Sequence, residues 1–312
     1  MRTLWLLVAA VCMFLTTSCG NHRKSADWRT SDDVHIAMDE TFRPIMEELL
    51  ETFQLSHIDA TLYPTFCSED SALRLLVLDS VRCCVATREL NQNELDVIAS
   101  HNLGAHQSKI ANDAFALIVN KENPDTLITL DELRGLVSGK ITRWEQMPRS
   151  GLTGEVKLVF DQSGSSTVRY MRDSLCNGQE LKGNLYAQGS NPAVIKTVME
   201  DPTVIGVVGT NWLKGDRDTV LTSFDDLDVK VLKVSRSNDE DAIGWKPYQY
   251  RILTGDYPLI RSVYVITTDP RVRSNVKTLY FFMKGQKGQT IICNSSQLLP
   301  NLPVQNKSVN IN

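Results

Sequence analysis

"FDQSGSST", residues Phe160–Thr167, stands between two different periodicities. Before it, Glu155–Val159 alternates apolar and polar residues and predicts a β-strand. After it, Val168, Met171 and Leu175 recur at helical spacing. A strand that turns straight into a helix is the repeating step of α/β proteins. The turn itself carries Ser163, Gly164, Ser165, Ser166 and Thr167, with no lysine. A helix start exposes unpaired N–H groups and about half a positive charge, and one hydroxyl suffices to cap it. Three serines and a glycine exceed what capping needs. They suit close backbone approach to an anion.

Working outward, the same grammar recurs. Strand Val34–Met38 leads to a helix in which Ile45, Met46, Leu49, Leu50 and Phe53 share one face, with Pro44 in its first turn. A strand around Ile58–Leu62, a helix Ser68–Leu78 and a strand around Val81–Ala86 follow, giving a β-α-β-α-β order and a largely parallel sheet. Ala114–Val119 is an unbroken apolar run and reads as a buried strand. Thr129 and Glu132 have capping-box spacing ahead of Leu133, Leu136 and Val137. Asn191 is expected at an N-cap with Pro192 at N1, Val204–Gly209 as another buried strand, and Val263–Thr267 as a last strand before a helix near Val276–Lys284. Three further helix starts carry short polar residues: Thr41-Phe42, Ser68 and Thr87-Arg88. Each alone is a cap; several aimed at one point make an oxyanion site without metal.

The chain has 312 residues, enough for two lobes, and a net charge of −4 with 22% charged residues. No clustered basic excess marks a nucleic-acid binder. Arg2 precedes an apolar run, Leu4–Leu15, too short to span a bilayer, then Thr16-Thr17-Ser18-Cys19. This resembles a bacterial export signal with a lipobox, although Leu15 lies one place further from the cysteine than is usual. It makes Cys19 the expected lipidation site. Residues 20–32 are polar and read as a tether. Cys67, Cys83, Cys84, Cys176 and Cys293 form neither a disulfide framework nor a Cys-x-x-Cys zinc pair, and the histidines are scattered. Cys83 and Cys84 lie in an apolar stretch and read as buried small hydrophobes. No metal or cofactor is expected.

Catalytic motifs are missing. Gly164 has no partner glycine for a Gly-x-Ser-x-Gly elbow, and "GQKGQT" (285–290) and "GLTGEVK" (151–157) both fail as P-loops. The residues provide donors without a nucleophile, as a binding protein needs.

Six blocks then carry a resemblance: "DETFRPIMEELLETF" from Asp39, "ATRELN" from Ala86, "LITLDELRGLVSGKITRWEQM" from Leu127, "SGSSTVRYMRDSL" from Ser163, "NPAVIKTVMEDPTVIGVVG" from Asn191 and "YPLIRSVYVITTDP" from Tyr257. In this order, over residues 33–300, they resemble the phosphate-binding protein family of ABC transporters. The resemblance implies an α/β, two-lobed type II periplasmic binding protein fold with a ligand cleft between the lobes. Lobe 1 would comprise 33–113 and 241–312, and lobe 2 would comprise 114–240. Ala114–Val119 and the region near Val263–Thr267 would be crossover strands. It further implies a monomeric, non-enzymatic, periplasmic lipoprotein that binds inorganic phosphate and delivers it to a membrane permease.

Family ligand contacts carry over to Thr41, Phe42, Ser68, Ser163, Gly164 and Ser165, with Ser166 an extra donor and Thr87 beside them. Two positions depart. The family's arginine before the turn aspartate is Val159 here, and its proton-accepting aspartate is Arg88. The expectation is that Arg88 supplies the pocket's guanidinium, with Arg43 or Arg169 the alternatives. Loss of that aspartate leaves sulfate or another tetrahedral oxyanion open as ligand, unless Asp39 or Asp161 restores an acceptor. A phosphate sensor or envelope scaffold reusing the fold is the other alternative.

Overall fold

The computed structural model describes residues 29, 31–213, 223–239 and 241–304. The leader, Cys19 and nearly all of the tether lie outside them. The strands are β1 (Val34–Asp39), β2 (Leu62–Cys67), β3 (Cys83–Ala86), β4 (His106–Asn120), β5 (Leu127–Thr129), β6 (Lys157–Phe160), β7 (Leu185–Ala187), β8 (Val204–Gly209), β9 (Val229–Val231), β10 (Lys233–Ser235), β11 (Ile260–Thr267) and β12 (Leu299–Pro300). β5 and β10 pair with each other, and the other ten make one sheet in the order β2-β1-β3-β11-β4-β8-β6-β7, with β9 and β12 also on β4.

That sheet has two halves. β1 pairs in parallel with both β2 and β3, with helices Arg43–Ser56 and Glu69–Val77 as crossovers. β6 likewise runs parallel to β7 and β8. The antiparallel strands β11 and β4 join the halves. Residues 106–114 of β4 pair with β11, and Phe115–Val119 pair with β8. One continuous strand therefore serves both halves.

Each half is covered on both faces, as a mostly parallel sheet requires. In the first, Ile36, Met38, Val85 and Val263 pack on Ile45, Met46, Leu49 and Phe53 of the first helix and on Leu279 and Met283 of helix Asn275–Lys284. On the other face Ala37, Cys84 and Ala86 meet Leu73, Leu76 and Ile98. Both Cys83 and Cys84 are fully buried, as the apolar stretch predicts. In the second half the two-residue period of β4 sorts Phe115, Leu117 and Val119 to one core and Ala116 and Ile118 to the other. The first of these cores includes Leu133 and Leu136 of helix Leu130–Val137, whose Thr129/Glu132 capping box is fully formed. The second includes Val194 and Val198 of helix Asn191–Glu200. Among the described residues, no helix is long and apolar enough to cross a membrane.

Two expectations are corrected. The second strand begins at Leu62 rather than near Ile58, which is exposed. It contains Pro64, which lacks a ladder donor and is tolerated because β2 is an edge strand. Ser190, not Asn191, caps the 191–200 helix, its Oγ accepting from the Ala193 N–H at 3.4 Å. Ile252, Tyr257 and Leu259 pack in the same core as Leu117 and Leu133. Tyr257 also donates its hydroxyl to the Phe115 carbonyl at 2.5 Å. The chain re-enters the first half along β11.

Candidate functional site

The carboxyl ends of β1 and β6 face each other across the two halves. At the end of β1 the chain turns through a single 3-10 turn, Glu40–Phe42, into the first helix. Asp39 caps that turn: its Oδ1 accepts from the Thr41 N–H at 3.0 Å and from Thr41 Oγ1 at 2.9 Å. Thr41 Oγ1 also lies 3.3 Å from Oδ2 of Asp161, which follows β6. The Thr41 carbonyl accepts from Asn211 Nδ2 (2.9 Å) and Trp212 Nε1 (2.8 Å), both beyond β8. One threonine thus ties the first half to the second three times. This approach demands glycine at 209, since a Cβ there would stand 2.9 Å from Thr41 Cγ2 and 3.1 Å from Asn211 Nδ2.

The hydroxyl-rich turn divides its labour. Ser163 is exposed, Gly164 half-buried, and Ser165 and Ser166 buried. Ser165 is the cap, accepting from the Val168 N–H at 3.3 Å. Ser166 donates to Asp39 Oδ2 of the opposite half. Gly164 lies against Ser68, with 3.4 Å between its would-be Cβ and Ser68 Oγ. Ser68 itself caps helix Glu69–Val77. The two bends meet through Ser166 and Asp39 and through Thr41 and Asp161.

Charge enters by residues that reading did not single out. Arg261 and Asp113 are direct cross-strand partners on β11 and β4, so their side chains emerge on one face. Arg261 donates from Nε (2.9 Å) and Nη2 (2.8 Å) to Asp113 Oδ2, and from Nη1 to Ser166 Oγ at 2.5 Å. Thr210 Oγ1 holds the other Asp113 oxygen at 3.1 Å. The guanidinium is sandwiched between Phe42 and Phe115, 4.8 and 4.0 Å from their ring centres. Phe42 thereby lines the site through its ring. The signal was present in the sequence: a charge on the inward face of an apolar strand must be paired to be tolerated.

A second ion pair crosses the cleft nearby. Buried Glu69 accepts from the Thr87 N–H and Oγ1, both at 2.6 Å, and from Arg169 Nε at 2.6 Å. Arg169 Nη2 also donates to Thr87 Oγ1 at 2.6 Å. Burial pushes the Glu69 carboxyl up, but the Arg169 and Thr87 donors outweigh it and hold it below the usual carboxylate range. Thr87 thus anchors both members of this pair.

Arg88 does not face the cleft with a free guanidinium. Nη1 and Nη2 donate to the two Glu94 oxygens at 2.8 and 2.7 Å, and Glu94 is itself locked in the capping box of helix Gln92–Ser100. Val159 sits in the apolar layer beneath helix Asn191–Glu200, and the cation of β6, Lys157, pairs with Asp201 at 3.2 Å. The guanidinium in contact with the serine turn is that of Arg261, through Ser166 Oγ. Arg88→Ala should lower stability by about 1 kcal/mol or less, as for a partly exposed ion pair, and leave anion affinity unchanged in titration calorimetry.

Asp113, Arg261, Ser166, Asp39, Thr41, Asp161 and Asn191 form one hydrogen-bonded chain through the cleft, the last link being Asn191 Nδ2 to Asp161 Oδ2 at 3.4 Å. Around it several buried acceptors have no donor: Asp161 Oδ1, Asn191 Oδ1 and Asn211 Oδ1. The arrangement brings hydroxyls, helix-start amides and the Arg261 guanidinium from both halves together.

A family model described as a PBP superfamily domain matches residues 24–281. The chain is 23% identical over 245 residues to the phosphate-binding protein PstS of Staphylococcus epidermidis, covering 78% of this chain and 71% of that one. Among solved structures, it resembles an ABC-type phosphate transport receptor from Vibrio cholerae, with a TM-score of 0.63 and 17% identity over 85% of this chain and 99% of that one. A periplasmic phosphate-binding protein, PfluDING, solved with bound phosphate, gives a TM-score of 0.70 at 14% identity over 87% of this chain and 91% of that one. At these identities the structural matches speak for the fold.

Proposed function

The chain belongs to the PBP superfamily, and from that premise we propose that it is an extracytoplasmic binding protein, not an enzyme, which closes two lobes around inorganic phosphate. On this reading it hands the anion to the permease of an ABC transporter and is held at the membrane by a lipid on Cys19. The observation that carries the proposal is the meeting of the Thr41 turn and the Ser163–Ser166 turn, joined through Ser166 and Asp39 with Arg261 alongside. Several curated relatives are named as phosphate-binding proteins, which supports the choice of ligand.

Ligand contacts would come from Thr41, Phe42 and Ser68 on one side, and from Ser163, Gly164, Ser165 and Ser166 on the other. Arg261 takes the place first expected of Arg88. Closure follows from differential affinity, because both sets of contacts exist together only in the shut form. Titration calorimetry of the purified chain with phosphate tests this directly. Saturable one-to-one binding is expected, at micromolar or tighter Kd, equivalent to about 8 kcal/mol or more. No heat and no thermal shift with phosphate would end the proposal.

A further inference from the structure

We propose that the cleft takes its oxyanion together with a hard divalent cation, held by Asp161 Oδ1 and Asn191 Oδ1 and completed by the anion itself. This rests on the oxyanion-binding reading above and adds a second guest to it. The buried charges of the cleft do not cancel. Asp39, Asp113 and Asp161 are each fully buried, and the hydrogen-bonded chain that joins them contains a single cation, Arg261. Three carboxylates against one guanidinium leave that chain at a net charge of −2. The neighbouring Glu69–Arg169 pair is neutral as a whole and changes nothing. A phosphate dianion entering such a site would double the excess in a medium that screens charge poorly.

Asp161 is where the excess lies open. Arg261 directs Nε and Nη2 to Asp113 and Nη1 to Ser166. Asp161 Oδ2 receives only two long bonds, from Thr41 Oγ1 at 3.3 Å and Asn191 Nδ2 at 3.4 Å, and Oδ1 receives none. Because Asn191 turns its nitrogen to Asp161, its own Oδ1 is left buried without a donor. Asn211 repeats the pattern beside Thr41, with Nδ2 on the Thr41 carbonyl and Oδ1 buried without a donor. Water can satisfy such acceptors, but only a cation also removes the charge. Carboxylate and amide oxygens are the ligands that Mg²⁺ and Ca²⁺ prefer. Among the described residues no group of three or more His, Cys, Asp or Glu could hold a metal, so the protein alone offers too few ligands. The remaining positions fall to water and to anion oxygens, as where Mg²⁺ is shared between a carboxylate and a substrate phosphate. Cation and anion then bind as a linked pair, each raising the affinity for the other by the same factor.

The test is calorimetry with inorganic phosphate in metal-free buffer and again with excess Mg²⁺ or Ca²⁺, with native mass spectrometry counting the guests. Phosphate should bind about tenfold or more tightly when the cation is present, and the complex should carry one metal ion per phosphate. Either metal without phosphate should bind more weakly by the same factor. Asp161→Asn, which removes the charged ligand, should abolish the metal dependence. Native phosphate affinity that is the same with and without both cations overturns the inference and leaves the proposed function standing. So does a complex that holds phosphate but no metal in excess Mg²⁺ or Ca²⁺, or a folded Asp161→Asn with undiminished metal dependence. If phosphate binds under none of these conditions, both this inference and the proposed function fall. The comparison on the native chain needs no variant, so a variant that fails to fold does not block the test.

Discussion

Arg261→Met should unfold about 3–5 kcal/mol more easily than the native chain, because it leaves Asp113 charged, buried and held only by Thr210 among side chains. Phosphate affinity should fall with it. Urea denaturation would measure the first effect and calorimetry the second. The two separate in the double variant Arg261→Met, Asp113→Leu, which replaces a buried ion pair by apolar groups and should recover most of the lost stability. Affinity should stay depressed by about ten- to a hundredfold, the loss of one charge-assisted hydrogen bond of ~1.5–3 kcal/mol. A double variant with native affinity would remove Arg261 from the ligand's contacts. A single variant with the native urea midpoint would mean the pair carries no stabilising weight.

Asp39→Asn should have the opposite effect on stability. Burial drives the Asp39 carboxyl up to about 6; Arg261 pulls it down, Glu69 pushes it up, and the Ser166 and Thr41 donors pull it down again. Asp161 shares the Thr41 hydroxyl, Asp113 stands behind Arg261, and Cys67 ends the neighbouring strand. Starting from an ordinary value of 3.8, the shift is roughly two units, or about 3 kcal/mol of penalty on the ionised form. The folded state then binds more protons than the unfolded chain between those two pH values. The stabilisation this gives is fully present below 3.8 and is lost as pH rises through about 6. Asn has no charge to desolvate. The variant should therefore gain about 3 kcal/mol near neutral pH and lose the Asp39 part of the slope between pH 4 and 6. Thermal melts across that range decide it, and parallel slopes for the two proteins would refute the argument. A buried anion kept at such a cost is what a binding site, rather than a stability optimum, retains.

Much of the architecture was legible because it is local. The inward set Ile45, Met46, Leu49, Leu50 and Phe53 follows from a helical period, and the Thr129/Glu132 box from a spacing of three. Both bends of the cleft could be found the same way, since hydroxyls at helix starts advertise themselves. The charges could not. Whether Arg88 or Arg261 faces the cleft depends on which residue stands opposite in the sheet, and Arg261 finds Asp113 across a separation of 148 residues. Arg88 pairs with Glu94, which also closes the capping box of helix Gln92–Ser100, and no periodicity in the sequence reports that pairing. Ser190 and Asn191 exchanged roles for a related reason. Either can cap a helix, and only the position of Asp161 shows that the asparagine is needed elsewhere.

The change of partners along β4 has a consequence for how a guest is caught. Arg261 and Asp113 occupy the last rung but one before the strand passes from one half to the other. Were the halves to swing apart about that point, the Thr41 and Ser166 arms would travel furthest and the guanidinium least. An arriving anion would meet its positive charge before either jaw reaches it, so attraction precedes enclosure. Added salt should then slow arrival more than it hastens escape, because the shut jaws shield the charge that the open mouth exposes.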